Sequence, residues 1–237
     1  MSRKDRLICI ACNEDGYGPS ALAYYLVTAI ATLWRNSYQS DYNLKIYLFN
    51  HSAYGFNKAI YHSLKDVVQP VRLRKDSLIR LDKKNGEIAV AETRNRIKFY
   101  RDYRQEYLEM IRPYFENCSV AIDLGVPVFI RAAGKLGIPY RITLFDHSWA
   151  ETLRLLCSEK YDSFYRFHDP PDTETCRQIH EIACQIEEDE ASATHVWLFG
   201  PYITTEVFWN HWNRLLHPGK PVRLNGVLGS RSDPETA

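Results

Sequence analysis

Residues 7–33 read LICIACNEDGYGPSALAYYLVTAIATL and carry three structural signals in a row. Residues 7–11 are apolar and have the length of a buried strand. Residues 13–18 contain Asn, Asp and two glycines, which are turn-forming residues. From Ser20 onward the apolar residues recur at helical spacing, at positions 22, 26, 29, 30 and 33. A strand, a tight loop and a helix in this order predict an α/β domain. In an open parallel sheet, such a loop lies where ligands bind.

The rest of the chain continues the alternation of strand and helix patterns. Further strands are predicted over residues 43–49, 68–73, 118–123, 139–145 and 195–199, and helices over 58–67, 92–115, 128–136, 151–159, 173–191 and 207–216. This alternation predicts a Rossmann-like parallel sheet of six strands with helices on both faces. Pro70 predicts that the third strand is an edge strand or that the proline lies at the strand start, because proline cannot donate a hydrogen bond to a neighbouring strand.

Composition limits the classes of protein to which the chain can belong. Its 237 residues are 45% hydrophobic, which is enough for a packed core in one large domain. The net charge of +1 argues against a dedicated nucleic-acid binder. No uninterrupted apolar stretch reaches the roughly 18 residues of a transmembrane helix. The first apolar run ends at Asn13 and is too short for a signal peptide, so we expect a cytoplasmic protein.

The six cysteines predict neither a zinc site nor a disulfide framework. Cys9 and Cys12 have the spacing of a redox motif, but they precede the loop on a predicted strand. A redox pair normally lies at a helix N-terminus, where the thiolate is stabilised. We therefore interpret both as buried structural thiols, and no Cys/His cluster has metal-ligand spacing.

Two segments could carry chemistry. Gly16 and Gly18 suit a backbone that turns sharply near a ligand, and the helix N-terminus at Ser20 offers free N–H groups to an anion. Asp146 and His147 end a predicted strand, and histidine can accept a proton near neutral pH. Simpler interpretations remain open: the loop is an ordinary strand-to-helix turn, and Asp146 or Ser148 caps the next helix. The charged face of the long helix is interpreted as solvent-exposed surface; its members are Arg94, Lys98, Arg101, Arg104 and Glu109.

Four segments together resemble the N-terminal half of a GT-B glycosyltransferase. They are residues 15–20 (DGYGPS), residues 121–125 with 132–139 (AIDLG and AAGKLGIP), residues 145–149 (FDHSW) and residues 220–227 (KPVRLNGV). The first is similar to the Gly-x-Gly loop of the transferases related to the peptidoglycan N-acetylglucosaminyl transferase and to macrolide glycosyltransferases. Their order and spacing, more than any single motif, carry the resemblance.

The resemblance implies one GT-B half-domain. Residues 1–225 would form the acceptor-side domain, and residues 226–237 a linker-like tail toward a C-terminal donor domain that this sequence lacks. The implied reaction transfers a sugar from a nucleoside diphosphate sugar to an acceptor hydroxyl, with no cofactor and no metal. Donor binding would then require a second domain or a partner chain.

The resemblance also implies a set of site residues. The family's histidine after the second glycine is replaced here by Pro19, so the catalytic candidates are Asp15, Asp146 and His147. The substrate-binding candidates line the same predicted edge of the sheet: Gly16, Tyr17, Gly18, Ser20, Asp123, Ser148 and Trp149. Trp149 is either a wall against which a sugar stacks or a core aromatic residue.

Two other functions fit the same pattern. The chain could be a non-catalytic α/β binding or interaction domain that partners a separate catalytic chain. A weaker alternative is a Rossmann-like enzyme such as a nucleotide-sugar epimerase, which would hold a bound nicotinamide. The loop lacks the third glycine of the nicotinamide-binding motif, since residue 21 is alanine.

Overall fold

The structure is a computed structural model that describes residues 4–12, 17–50, 62–71, 73, 90–145, 150, 153–154, 157 and 172–198. In these residues the strands are β1 (Lys4–Cys12), β2 (Tyr42–Asn50), β3 (Val68–Val71), β4 (Cys118–Leu124), β5 (Tyr140–Phe145) and β6 (His195–Leu198). The longer helices are α1 (Tyr17–Ser37), α2 (Val90–Ile111), α3 (Pro127–Lys135) and α4 (Thr173–Glu190). A short 3-10 turn, Arg112–Tyr114, continues α2.

The strands form one parallel sheet in the order β3-β2-β1-β4-β5-β6. This is the order of a doubly wound α/β fold, and the direction of winding reverses between β1 and β4. The predicted parallel α/β sheet is therefore confirmed. Pro70 lies in β3, which is an edge strand as predicted.

Each face of the sheet is covered by its own hydrophobic core. On one face, Val27 of α1 packs with Ile10, Cys12 and Ile46. The opposite core joins Cys9 and other strand residues to the three helices α2, α3 and α4; its largest fully buried side chains are Phe49, Tyr103, Tyr107 and Phe129. Cys9 and Cys12 are both fully buried but belong to opposite cores. This confirms that they are structural thiols and excludes a disulfide between them.

Several helix ends agree with their sequence signals. Gly137 follows α3 with a φ of 74°, the left-handed conformation that glycine adopts at helix ends. Asp172 precedes α4, and its side chain accepts a 2.6 Å hydrogen bond from the backbone N–H of Thr175. None of the helices in the described part of the chain has the length and apolar content needed to cross a membrane.

Two predictions need correction. The helix expected from Ser20 begins at Tyr17, so Tyr17, Gly18 and Ser20 all belong to its first turn. Pro19 permits this, because a first-turn residue does not need its N–H for the helix. Arg104 was placed on an exposed face, but its side chain is only 16% exposed, since α4 packs over α2 and provides Asp189 as a partner.

Other predictions fall on residues that the structure does not describe. The helix over 207–216 and the tail after residue 225 lie outside the described residues. Of the helix over 58–67, residues 62–67 are described: 62–63 have helical backbone, and 64–67 form a bend and a turn instead. Of the helix over 151–159, Leu153 and Arg154 have helical backbone, and Cys157, the other described residue, lies in a turn.

Candidate functional site

The candidate site lies where the winding of the sheet reverses. The carboxyl ends of β1 and β4 are neighbours, with Ala11 opposite Asp123 and Cys12 opposite Leu124. The helix after β1 packs on one face of the sheet, and the helix after β4 packs on the other. In open parallel sheets the two departing connections leave a crevice at this point, which is the usual ligand site.

Asp123 is the buried polar group at this edge. It is the last residue but one of β4 and is fully buried. Its Oδ1 accepts a hydrogen bond from the backbone N–H of Val126, the residue before α3. Its Oδ2 has no hydrogen-bond partner among the described residues. A buried carboxyl oxygen without a partner is costly, which makes this atom the strongest sign of a ligand-facing group in the described structure.

The proton affinity of Asp123 is also unusual. Burial raises the pKa of Asp123 to about 8, although the hydrogen bond from Val126 acts in the opposite direction. The nearby Glu190 carboxyl raises the pKa further. A carboxyl group with this pKa exchanges its proton close to neutral pH. Perturbed groups of this kind concentrate at functional sites.

Thr143 is the neighbour of Asp123 across the sheet. It lies opposite Asp123 in the register of β4 and β5 and is itself fully buried. Its hydroxyl is close enough to favour the charged form of the carboxyl group, but the pair lacks a hydrogen bond of good geometry. Thr143 was not predicted from the sequence. Strand alternation could have indicated it, because residues opposite one another in parallel strands share a face.

Only part of the predicted site falls within the described structure. Asp123 lies at the carboxyl edge of the sheet, as predicted. Tyr17, Gly18 and Ser20 form the first turn of α1, which begins five positions after the end of β1. The remaining predicted residues lie outside the described residues; they are Asp15, Gly16, Asp146, His147, Ser148 and Trp149.

Glu190 is a second buried acidic residue that affects Asp123. Glu190, at the end of α4, is 2% exposed and acts on Asp123 electrostatically. No pattern in the sequence distinguishes it from the other acidic residues of its helix. In the described part of the chain, no group of three or more His, Cys, Asp or Glu side chains is arranged to hold a metal ion.

Comparisons with known proteins give structural likenesses at low identity. No family model and no curated protein sequence matches the chain. A UDP-glucosyltransferase from Polygonum tinctorium, described as capable of glucosylating indoxyl, is similar with 14% identity and a TM-score of 0.45, covering 100% of this chain and 56% of that one. UGT73P12 of Glycyrrhiza uralensis is similar with 11% identity and a TM-score of 0.40, covering 90% of this chain and 47% of that one.

A third solved structure is also similar at low sequence identity and over about half of its own length. Apo UGT2 of Phytolacca americana is similar with 12% identity and a TM-score of 0.42, covering 81% of this chain and 46% of that one. The chain thus spans about half the length of the solved structures it matches. Likenesses at these TM-scores do not decide a function, which has to be argued from the chain's own residues.

Proposed function

We propose that this chain is the acceptor-side half of a glycosyltransferase that moves a sugar from a nucleoside diphosphate sugar to an acceptor hydroxyl. The observation that carries the proposal is Asp123, a fully buried carboxyl group at the reversal point of the sheet, whose Oδ2 has no hydrogen bond of good geometry to any described residue. The motif resemblance of residues 15–20, 121–125 with 132–139, 145–149 and 220–227 supplies the class of reaction.

The reaction requires a proton acceptor for the acceptor hydroxyl. As the hydroxyl oxygen bonds to the anomeric carbon, its proton must leave and the bond to the nucleoside diphosphate must break. A base with a pKa near the working pH performs this transfer best. We assign the role of proton acceptor to His147, with Asp15 or Asp146 as the alternatives. These residues follow β1 and β5, the two strands on either side of β4.

Asp123 has a different part in the proposal. Its Oδ2, which carries the proton below about pH 8, would donate a hydrogen bond to the acceptor hydroxyl or to the base, and so hold one of them in position. Since no described residue pairs well with this oxygen, the cost of burying it favours a ligand that supplies a hydrogen-bond acceptor. The first turn of α1, which includes Tyr17, Gly18 and Ser20, would direct its free N–H groups toward an anion.

Residues 1–225 would form the acceptor domain, with residues 226–237 leading toward the donor-binding part. A second domain or a partner chain would hold the nucleoside diphosphate sugar. The experiment therefore uses the complete gene product with any such part present. Isotope-labelled nucleotide sugars are incubated with a panel of hydroxyl acceptors, and glycoside products are identified by mass spectrometry.

Three variants and one control test the assignments. We expect His147→Ala to lower transfer by about 100-fold or more, the usual contribution of a general base. Asp15→Ala and Asp123→Asn are expected to lower it as well. Asp172→Asn is the matched control, since Asp172 is exposed and asparagine is an equally good helix cap. Undiminished transfer in all three site variants would overturn the assignments.

The alternatives give different results in the same experiment. Binding of an acceptor without any transfer would identify a non-catalytic binding domain. A nicotinamide that copurifies with the protein would identify a Rossmann-like enzyme of the epimerase kind. Either outcome would contradict the proposal that the protein is a transferase.

A further inference from the structure

Thr143 and Asp123 are two polar side chains that lie side by side in the interior. They are register partners on β5 and β4, and opposite residues of adjacent parallel strands present their side chains on the same face of the sheet. The next register partners along this row are Ala11 on β1 and Val196 on β6. Asp123 and Thr143 thus form a polar pair between two apolar strand residues.

Each member of this pair has a buried oxygen atom that lacks a good partner. Both side chains are fully buried. Among the described residues, neither Asp123 Oδ2 nor Thr143 Oγ1 has a hydrogen bond of good geometry, although the two side chains are neighbours. Burying even one such atom is costly. Two of them in adjacent positions are explained together by a third group to which both can bind.

The donors and acceptors that are still available define the kind of group. Asp123 Oδ1 accepts a hydrogen bond from the backbone N–H of Val126, so the proton of the neutral carboxyl group belongs on Oδ2. Burial raises the pKa of Asp123 to about 8, so this proton is present at neutral pH. The Thr143 hydroxyl can also donate. Two neighbouring donors suit an oxygen atom with two lone pairs, such as that of a hydroxyl group.

Building on the proposed function, we propose that Thr143 is a second residue that binds the acceptor hydroxyl, by donating a hydrogen bond to its oxygen beside Asp123. The hydroxyl keeps its own proton for transfer to the base. As that proton leaves and the oxygen bonds to the anomeric carbon, the two donors stabilise the negative charge that develops on the oxygen. The nucleoside diphosphate departs with the electrons of the broken bond. Thr143 and Asp123 keep their own protons throughout.

The position of Thr143 in the chain agrees with this role. It is the third residue from the end of β5, and Asp123 is the last residue but one of β4, so both lie near the carboxyl edge of the sheet. His147, the proposed base, follows Thr143 by four residues. One strand and the segment after it would therefore supply both a donor for the hydroxyl oxygen and the acceptor for its proton.

Two substitutions separate the Thr143 hydroxyl from the rest of the side chain. Thr143→Val removes the hydroxyl and keeps the branched shape, whereas Thr143→Ser keeps the hydroxyl. Transfer is measured with the complete gene product and labelled nucleotide sugars, with phenol, benzyl alcohol and methyl glucoside as probe acceptors. We expect Thr143→Val to lower kcat/KM by about 10-fold, the effect of one hydrogen bond lost in the transition state, and Thr143→Ser to retain most of the wild-type value.

Thr28→Val is the matched control. Thr28 Oγ1 on α1 is another buried oxygen without a hydrogen-bond partner among the described residues, but α1 packs on the opposite face of the sheet from Ala11. This substitution should leave kcat/KM unchanged. Urea unfolding without substrates tests for a merely structural role. Since Thr143 Oγ1 has no good hydrogen bond to lose, Thr143→Val should keep or raise the urea midpoint.

Different outcomes overturn the proposed function and the role of Thr143. A wild type that transfers sugar to none of the acceptors would overturn the proposed function, and the role of Thr143 with it. In a wild type that transfers sugar, an unchanged kcat/KM in Thr143→Val would overturn the role of Thr143 alone. A fall in the urea midpoint of Thr143→Val that Thr143→Ser does not share would also overturn it, because the hydroxyl would then stabilise the fold.

Discussion

The hydroxyl of Tyr100 on α2 donates a 2.7 Å hydrogen bond to the carboxylate of Asp189 on α4. Arg104, one turn further along α2, donates to the same carboxylate through Nε at 3.1 Å. Arg131 of α3 brings a second guanidinium to within 3.4 Å of it. Asp189 is fully buried, so its one carboxylate connects α2, α3 and α4.

Replacing Asp189 should therefore destabilise the protein strongly. Asp189→Ala leaves Arg104 and Arg131 without their buried partner, and breaking such a pair costs about 3–5 kcal/mol. Urea unfolding followed by circular dichroism measures the loss. The control is Glu174→Gln, which removes an exposed ion pair with Arg177 on the same helix and should barely move the urea midpoint. Equal effects of the two substitutions would contradict the role of Asp189.

The raised pKa of Asp123 predicts how stability depends on pH. In the folded protein the pKa is about 8, above the ordinary value of 3.8. Between these values the folded state holds a proton that the unfolded state has lost. This one group therefore makes the free energy of unfolding fall with rising pH, by up to about 1.4 kcal/mol per pH unit. Below pH 3.8 and above about pH 8, its contribution no longer changes.

Asp123→Asn removes the titrating carboxyl group. Comparing the variant with the wild type therefore separates the effect of Asp123 from that of every other titrating group. We expect the free energy of unfolding of the variant, minus that of the wild type, to increase progressively as the pH rises from 5 to 7. Urea unfolding of both proteins at several pH values measures the difference. If the free energies of unfolding of the two proteins changed with pH in the same way, the pKa of the Asp123 carboxyl would not be raised.

Two glycines around the end of α3 should respond oppositely to alanine. Gly137 has a φ of 74°, and a Cβ there meets nothing within 4 Å, so Gly137→Ala should cost about 1 kcal/mol through backbone strain alone. A Cβ at Gly134 would contact Ser192 Cβ at 3.4 Å, an ordinary packing distance. Gly134→Ala should leave the thermal midpoint unchanged or raise it, because alanine favours the helix. Thermal unfolding of the two variants shows whether the backbone conformation or the room for a Cβ atom determines the effect of alanine at each position.

The cap of α4 supplies a local test. Asp172→Ala removes the acceptor for the Thr175 N–H and should destabilise the protein by about 1 kcal/mol. Asp172→Asn keeps an acceptor oxygen and should retain most of that stability. Urea midpoints of the two variants separate the hydrogen bond from the charge. A loss of the same size in both would show that the charge at the helix N-terminus dominates.

Local signals in the sequence were sufficient for the six strands and the longer helices of the described residues, and for their order. Apolar periodicity, the edge proline Pro70, the glycine Gly137 and the cap Asp172 each depend on a few neighbouring residues, and each agrees with the structure. The position of Asp123 near a strand end could be predicted for the same reason, since only Leu124 separates it from the Gly125-Val126-Pro127 turn. The start of α1 was missed by three residues because a first-turn proline resembles a helix boundary.

What the sequence by itself determined is thus an α/β chain with a parallel sheet and a polar residue at the end of the fourth strand. Only the tertiary structure decided which groups surround that residue and what they do to it. The burial that raises the pKa of Asp123, the position of Thr143 opposite it, and the partners of Arg104 all come from segments far apart in the chain. Desolvation and ion pairing depend on distances in space, which no local pattern of residues encodes.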